Sequence, residues 1–121
     1  MVASDDVLAV LTDATDPVAA LLSAGVTEVV VKHGAGGATS HRAAGTVHRP
    51  TRTVPVDTVG AGDAFVAGLL SAWLDGVDAP ARLDRAVTTG AFAVATRGDW
   101  EGLPDRAELT LLDHGPGGTV R

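Results

Sequence analysis

The sequence contains no cysteine, which removes disulfides, thiol chemistry and cysteine-based metal centres from consideration. Aromatic residues make up only 3% of the chain, with no tyrosine, and Trp73 and Trp100 read as packing residues rather than a platform for stacking bases. Asn, Gln and Ile are also absent, and Lys32 is the only lysine beside eight arginines; this bias is genomic in character and carries little mechanism. No apolar run approaches the roughly 20 residues of a membrane-spanning helix. No basic-then-apolar leader opens the chain, so the expected location is cytoplasmic. The four histidines, at 33, 41, 48 and 114, lack metal-ligand spacing. Positive charge is scarce too: 15 acidic residues face 9 basic ones, for a net charge of -6. That argues against a nucleic-acid duplex or an anionic membrane as partner. A small anion remains open, because backbone amides can hold one.

What is present describes one small soluble domain. The 121 residues are 45% hydrophobic and 20% charged, as in ordinary globular proteins, and no internal repeat or linker divides them. Glycine is in excess, at 15 residues. Residues 1–13 read as a short helix, with Asp5 and Asp6 near its start and Val7, Leu8, Val10 and Leu11 at apolar spacing. A second helix follows, with Asp16 as N-cap, Pro17 in the first position and Gly25 as terminator. Thr27–Val31 is a short β-branched run that predicts a central, parallel strand. Lys32–Gly37 is a glycine-dense turn, with His33 and His41 read as surface residues near it. Beyond it, Gly37–Arg42 is expected to pair with Thr46–Pro50, and Val54–Asp57 to add a rim strand.

Gly60 and Gly62 then interrupt the chain before a long helix. Phe65, Leu69 and Ala72 form one face, which Val66, Leu70 and Trp73 broaden into an apolar stripe. Gly68 in that helix is expected to allow close packing against a sheet. Asp75–Gly76 ends it. A helix over 79–96 follows, with Leu83, Val87, Gly90, Ala91 and Val94 inward. A loop over 97–102 contains Arg97–Gly98–Asp99, which matches a cell-adhesion tripeptide only by chance. A last short helix is expected at Asp105–Leu112, with Leu109 and Leu112 docked inward and a frayed tail from His114.

The segment Asp57–Thr58–Val59–Gly60–Ala61–Gly62–Asp63 has a direct chemical reading. Backbone N–H groups of Gly60, Ala61 and Gly62 at a helix start would converge on an anion, aided by the helix dipole. Asp63 would place a carboxylate beside it. That pairing makes sense if the carboxylate takes a proton or faces a cation, as in phosphoryl transfer. The plain alternative is a glycine-rich turn with an ordinary first-turn aspartate.

The stretch DTVGAGDAFVAG closely resembles the C-terminal signature of the ribokinase-like, or PfkB-type, carbohydrate kinases, DTxGAGDxFxxG. Asp57, Thr58, Gly60, Ala61, Gly62, Asp63, Phe65 and Gly68 occupy every fixed position. VVVKHGAGGATSH is similar to the family's strand and nucleotide turn. TTGAFAVATRGDWEGLPDRAEL resembles its late helix and the loop after it, so order and spacing agree across residues 26–112. The RGD…GLP stretch is most similar to the branch acting on 2-keto-3-deoxygluconate and related sugar acids.

The resemblance implies an α/β/α sandwich of which this chain is the C-terminal, nucleotide-binding portion. It implies phosphorylation of a sugar or sugar-acid hydroxyl by ATP with Mg²⁺. Asp63 would be the catalytic base and Gly60, Ala61 and Gly62 the anion hole. Lys32, Gly34 and Gly37 match the nucleotide turn, with Lys32 read either as a phosphate contact or as an exposed strand-end lysine. Ala91 and Val94 correspond to the adenine face, although core packing explains them equally well. Asp57 and Thr58 fall near the nucleotide and a monovalent cation such as K⁺. The family's magnesium-associated Asn-x-x-Glu pattern falls near residues 4–7, where this chain reads Ser4–Asp5–Asp6–Val7. Asp5 or Asp6 is the substitute metal ligand, or else simply an acidic helix start. The expectation is that the sugar-binding half and lid are absent from residues 1–121. The chain is then a self-sufficient kinase, a non-catalytic nucleotide-binding remnant, or one subunit of a split kinase, with a complementary N-terminal subunit or a homo-oligomer as the expected partner. A soluble α/β domain with an unrelated anion site is the remaining alternative.

Overall fold

The computed structural model describes residues 1–109 and divides into two compact units, Met1–Thr51 and Arg52 onward. In the first unit, β1 (Val2–Ser4) leads directly into α1 (Asp5–Leu11), and α2 (Pro17–Ser23) precedes β2 (Val29–Lys32). A single 3₁₀ turn at Gly34–Gly36 connects β2 to β3 (Ala38–Arg42), which returns as β4 (Gly45–Arg49). The sheet order is β1-β2-β3-β4, with β1 parallel to β2 and the remaining pairs antiparallel.

The expected strand after Gly25 is present, central and buried. Val29, Val30 and Val31 are all buried, as an unalternating β-branched run requires. Val29 and Val31 join Ala3 and Leu8 in the core, and Val18, Leu21, Leu22 and Val26 cover it. The expected hairpin forms with its bounds moved by one residue: the first strand begins at Ala38 instead of Gly37, and the second runs Gly45–Arg49 instead of Thr46–Pro50, with Thr39 opposite His48 and Arg42 opposite Gly45. Asp16 caps α2, its Oδ1 accepting from Ala19 N–H at 3.0 Å. The N-terminal helix reading requires correction. Residues 2–4 are a strand, because Val2, Ala3 and Ser4 pair with Val30, Val31 and Lys32. Three residues are too few to carry a period, and only the long-range pairing decides between strand and helix. Of the apolar residues of α1, Leu8 alone is buried, while Val7, Val10 and Leu11 are exposed.

The second unit is built on α3 (Ala61–Leu74) and α4 (Ala79–Val94). Phe65, Leu69 and Ala72 are buried as expected. Leu70 and Trp73 are 52% and 62% exposed, so the apolar stripe is narrower than its sequence suggested. Gly68 packs against a helix and not a sheet: a Cβ there would stand 2.5 Å from Thr89 Oγ1 and 3.0 Å from the Arg85 carbonyl. Leu83, Val87, Ala91 and Val94 of α4 are buried, while Gly90 is half-buried. Asp78 caps α4 by accepting from Ala81 N–H at 2.9 Å.

The expected strand at Val54–Asp57 does not form. Instead the N–H groups of Val56 and Asp57 both donate to the Val94 carbonyl, at 2.7 and 3.3 Å. This satisfies the backbone at the end of α4 without a ladder. At the other end of the unit, Asp105 Oδ1 accepts from Ala107 and Glu108 N–H, and Glu108 Oε2 accepts from Asp105 N–H at 2.9 Å. This reciprocal arrangement is a capping box, where the last helix was expected to start. Residues 110–112 of that expected helix, Leu112 included, and the tail from His114 lie outside the described residues. Among the described residues, no helix is long and apolar enough to cross a membrane.

Candidate functional site

In the second unit the residues of the glycine signature assemble as a helix start. Gly60 is the residue before α3, with φ 75° and ψ -9°, a left-handed conformation that glycine adopts without penalty. It is also pressed by the 97–102 loop, since a Cβ would stand 2.4 Å from the Asp99 carbonyl oxygen. Two constraints therefore converge on one glycine.

Among the first N–H groups of α3, Ala61 donates to the Thr58 carbonyl at 3.3 Å and Ala64 to the Gly60 carbonyl at 2.9 Å. Helix geometry leaves Gly62 and Asp63 N–H without an intrahelical acceptor. The N–H groups at this end without an intrahelical acceptor are thus those of Gly62 and Asp63, while that of Ala61 is taken by Thr58. Asp63 stands exposed in the first turn of the helix.

Asp57 braces this start. Its Oδ1 accepts from Val59 N–H at 3.1 Å and its Oδ2 from Gly98 N–H at 3.4 Å. These bonds, Val59 first and then Gly98, hold its carboxyl below the usual carboxylate range. Each carboxylate oxygen thus accepts from a backbone donor. The 97–102 loop is a component that the sequence reading undervalued. Glu101 Oε2 accepts from Asp99 and Trp100 N–H at 3.0 and 3.1 Å, so the loop carries its own brace. The available signal was the glycine at 98, whose φ is 108°.

In the first unit, the Lys32–Gly37 turn is held from several directions. His33 N–H donates to the Gly37 carbonyl, and Gly36 N–H to the His33 carbonyl, both at 2.9 Å. Thr51 Oγ1 donates to the Ala35 carbonyl at 2.8 Å. Gly37, at φ 89°, lies under the end of the hairpin, where a Cβ would stand 2.0 Å from the Arg49 carbonyl oxygen. Gly34 also has positive φ, at 54°. Lys32 is half-buried at the end of β2, in register with Ser4 and Ala38. Ala91 and Val94 are buried within the second unit, an environment that packing accounts for.

His33 is not merely a surface residue. Its Nδ1 faces both Asp5 carboxylate oxygens, at 3.0 and 2.8 Å, and its Nε2 lies 2.9 Å from Thr39 Oγ1. The same hydroxyl lies 3.0 Å from His48 Nδ1. Asp5 is thereby engaged by an imidazole. Asp6 accepts the Ser4 hydroxyl, which more than any other contact lowers its carboxyl, with Lys32 adding a smaller electrostatic contribution. Among the described residues, no three His, Asp or Glu side chains gather as a metal centre. Magnesium in nucleotide sites commonly takes only one or two carboxylates and completes its shell with phosphates and water. By that standard Asp6 fits and Asp5 fits less well.

The model of the pfkB family carbohydrate kinases matches residues 4–106. The chain belongs to that family, and its α/β architecture is ribokinase-like. It is 40% identical over 89 residues to a 2-dehydro-3-deoxygluconokinase of Thermoproteus tenax, covering 73% of this chain and 27% of that protein. It is 46% identical over 54 residues to the 2-dehydro-3-deoxygluconokinase of Bacillus subtilis, covering 45% of this chain and 17% of the relative. Among solved structures, a protein described as a ribokinase II from E. coli, in complex with ATP and Mg²⁺, superimposes with a TM-score of 0.87 at 33% identity. That match covers 93% of this chain and 38% of the other. The chain thus spans about a quarter or less of the curated relatives it matches and under two-fifths of that structure.

Proposed function

We propose that the chain provides the nucleotide-binding and catalytic-base portion of an ATP-dependent carbohydrate kinase acting on a sugar or sugar acid, with 2-keto-3-deoxygluconate as the first substrate to test. The observation that carries this reading is the start of α3. There, Gly62 and Asp63 N–H lack intrahelical acceptors and the exposed Asp63 carboxylate stands in the same turn. Asp63 would accept the proton of the acceptor hydroxyl as that oxygen bonds to the γ-phosphorus and the bond to the ADP oxygen breaks. The backbone donors at 60–63 would stabilise charge on the transferring oxygens. Residues 32–37 would hold the nucleotide. Asp6 would be the carboxylate facing nucleotide-bound Mg²⁺, which supplies charge neutralisation on the phosphates. The two sugar-acid kinases among the relatives support the substrate class.

A second reading has a specific observation behind it. The solved relative is matched over only 38% of its length, and phosphoryl transfer needs both substrates positioned together. Residues 1–121 would then bind nucleotide and turn over sugar acid only with further polypeptide present. Calorimetric ATP titration and a coupled ADP-release assay with a sugar-acid panel, with Asp63→Asn as control, separate the readings. Turnover lost in that variant supports catalysis by Asp63. Nucleotide binding without turnover supports the second reading, and absence of nucleotide binding refutes both.

A further inference from the structure

The hydrogen-bonded row Asp5–His33–Thr39–His48 has no part in the chemistry assigned above, yet it draws on four elements of the first unit. Asp5 opens α1, His33 begins the glycine turn, Thr39 belongs to β3, and His48 lies opposite it on β4. The proton positions follow from the acceptor at one end. A carboxylate only accepts, so His33 carries its proton on Nδ1 and donates to Asp5. In the Nδ1–H tautomer Nε2 is the acceptor, and Thr39 O–H then donates to it. The Thr39 oxygen in turn accepts from His48 Nδ1–H. The Thr39 hydroxyl lies between the two imidazoles, and Thr39 is buried, so an unfilled place there would be costly.

The main chain gives the row its consequence. His33 both opens and closes the turn through its own N–H and carbonyl, bonded to Gly37 and Gly36. Its ring is therefore the only side chain that begins inside the turn and is anchored outside it on both sides, at α1 and at β3. Rotation of that ring would carry the turn with it. We propose that His33 is a positioning residue: held between Asp5 and Thr39, it sets the orientation of the Lys32–Gly37 turn for nucleotide. This rests on the reading of that turn as the nucleotide turn. It also accounts for Asp5, whose carboxylate orients the imidazole and leaves the metal-facing role to its neighbour Asp6.

The test compares the full chain with His33→Ala, His33→Asn and Thr39→Val, by ATP titration and by long-range ¹H–¹⁵N spectra of the imidazoles. In the parent chain, His33 shows the Nδ1–H tautomer, and Thr39→Val shifts the nitrogen signals of both His33 and His48. His33→Ala weakens ATP binding about tenfold. His33→Asn, whose amide keeps a donor near the place of Nδ1, recovers most of that loss. Parent-like ATP affinity in His33→Ala overturns the proposal, as does an Nε2–H tautomer in the parent. Should His33→Ala fail to fold, the proposal stands or falls on Thr39→Val: ATP affinity unchanged while the His33 signal shifts overturns it. Absence of ATP binding by the parent chain refutes the nucleotide reading itself and the positioning role with it. Parent binding with an indifferent His33 refutes the positioning role alone.

Discussion

Gly37 in the first unit and Gly60 in the second have similar backbone φ, 89° and 75°, but are held by different means. Gly60 is braced almost wholly by its neighbours in sequence, through Asp57 and Val59, with one loop, 97–102, pressed on it. The turn ending at Gly37 is braced by side chains from far along the chain: Asp5 and Thr39 through His33, Thr51 on its carbonyl, and Arg49 above its Cα. A contiguous brace can be inherited as a motif. A dispersed brace is specified only once the sheet has formed, and it differs little in composition from an ordinary polar surface.

The comparison can be broken by substitution. Asp63→Asn should reduce phosphoryl transfer by about 10²–10⁴-fold, in any preparation that shows turnover, while leaving the melting temperature nearly unchanged; a steady-state assay beside a thermal melt checks both. Gly37→Ala should destabilise by about 3 kcal/mol, since positive φ and a backbone oxygen 2.0 Å from the new Cβ oppose it together. Hydrogen exchange should show that loss first in β3 and β4. Gly60→Ala should have a somewhat smaller effect, about 2 kcal/mol, with the loss concentrated at the start of α3 and in the 97–102 loop.

Two glycines of the helix pair sharpen the contrast further. Gly68→Ala should cost about 1–2 kcal/mol in denaturant unfolding, because Thr89 must shift to admit the methyl group. Gly90→Ala should instead stabilise by up to about 0.8 kcal/mol, since its nearest neighbours would be 3.6 and 3.7 Å away and helix propensity favours alanine. The smallest effect at neutral pH concerns Asp75, whose carboxyl is lowered to about 2 by hydrogen bonds from Arg106 and then Arg85. A depressed folded-state value means the stabilisation is complete above the unfolded carboxylate range and is lost as pH falls toward about 2. Asp75→Asn should therefore lower stability modestly at pH 7, and the difference from the parent should shrink below about pH 4 and vanish toward about pH 2, flattening the acid limb of a pH–stability curve.

Much of the fold was legible where physical causes were local. The caps at Asp16 and the glycine stops at Gly25 and Gly76 follow from residue chemistry at single positions, and the buried strand follows from three consecutive valines. The readings that failed involved partners distant in sequence. Residues 2–4 became a strand only because β2 offered a ladder, and 54–57 lost one because the Val94 carbonyl claimed its N–H groups. Gly68 was rightly read as a close-packing position, but the surface that approaches it is α4.

The same division holds for the candidate site. The sequence by itself determined the helix start at 57–63, because glycine geometry, first-turn charge and unsatisfied N–H donors are properties of a contiguous segment. It likewise determined the family, through a signature compressed into twelve residues. Only the tertiary structure decided which groups brace each glycine, that Asp57 serves backbone donors, and that Asp5 meets His33 across 28 residues of chain. Hydrogen bonds act over about 3 Å in space whatever the separation in sequence, so a network gathered from four elements leaves no periodic trace in the chain that encodes it.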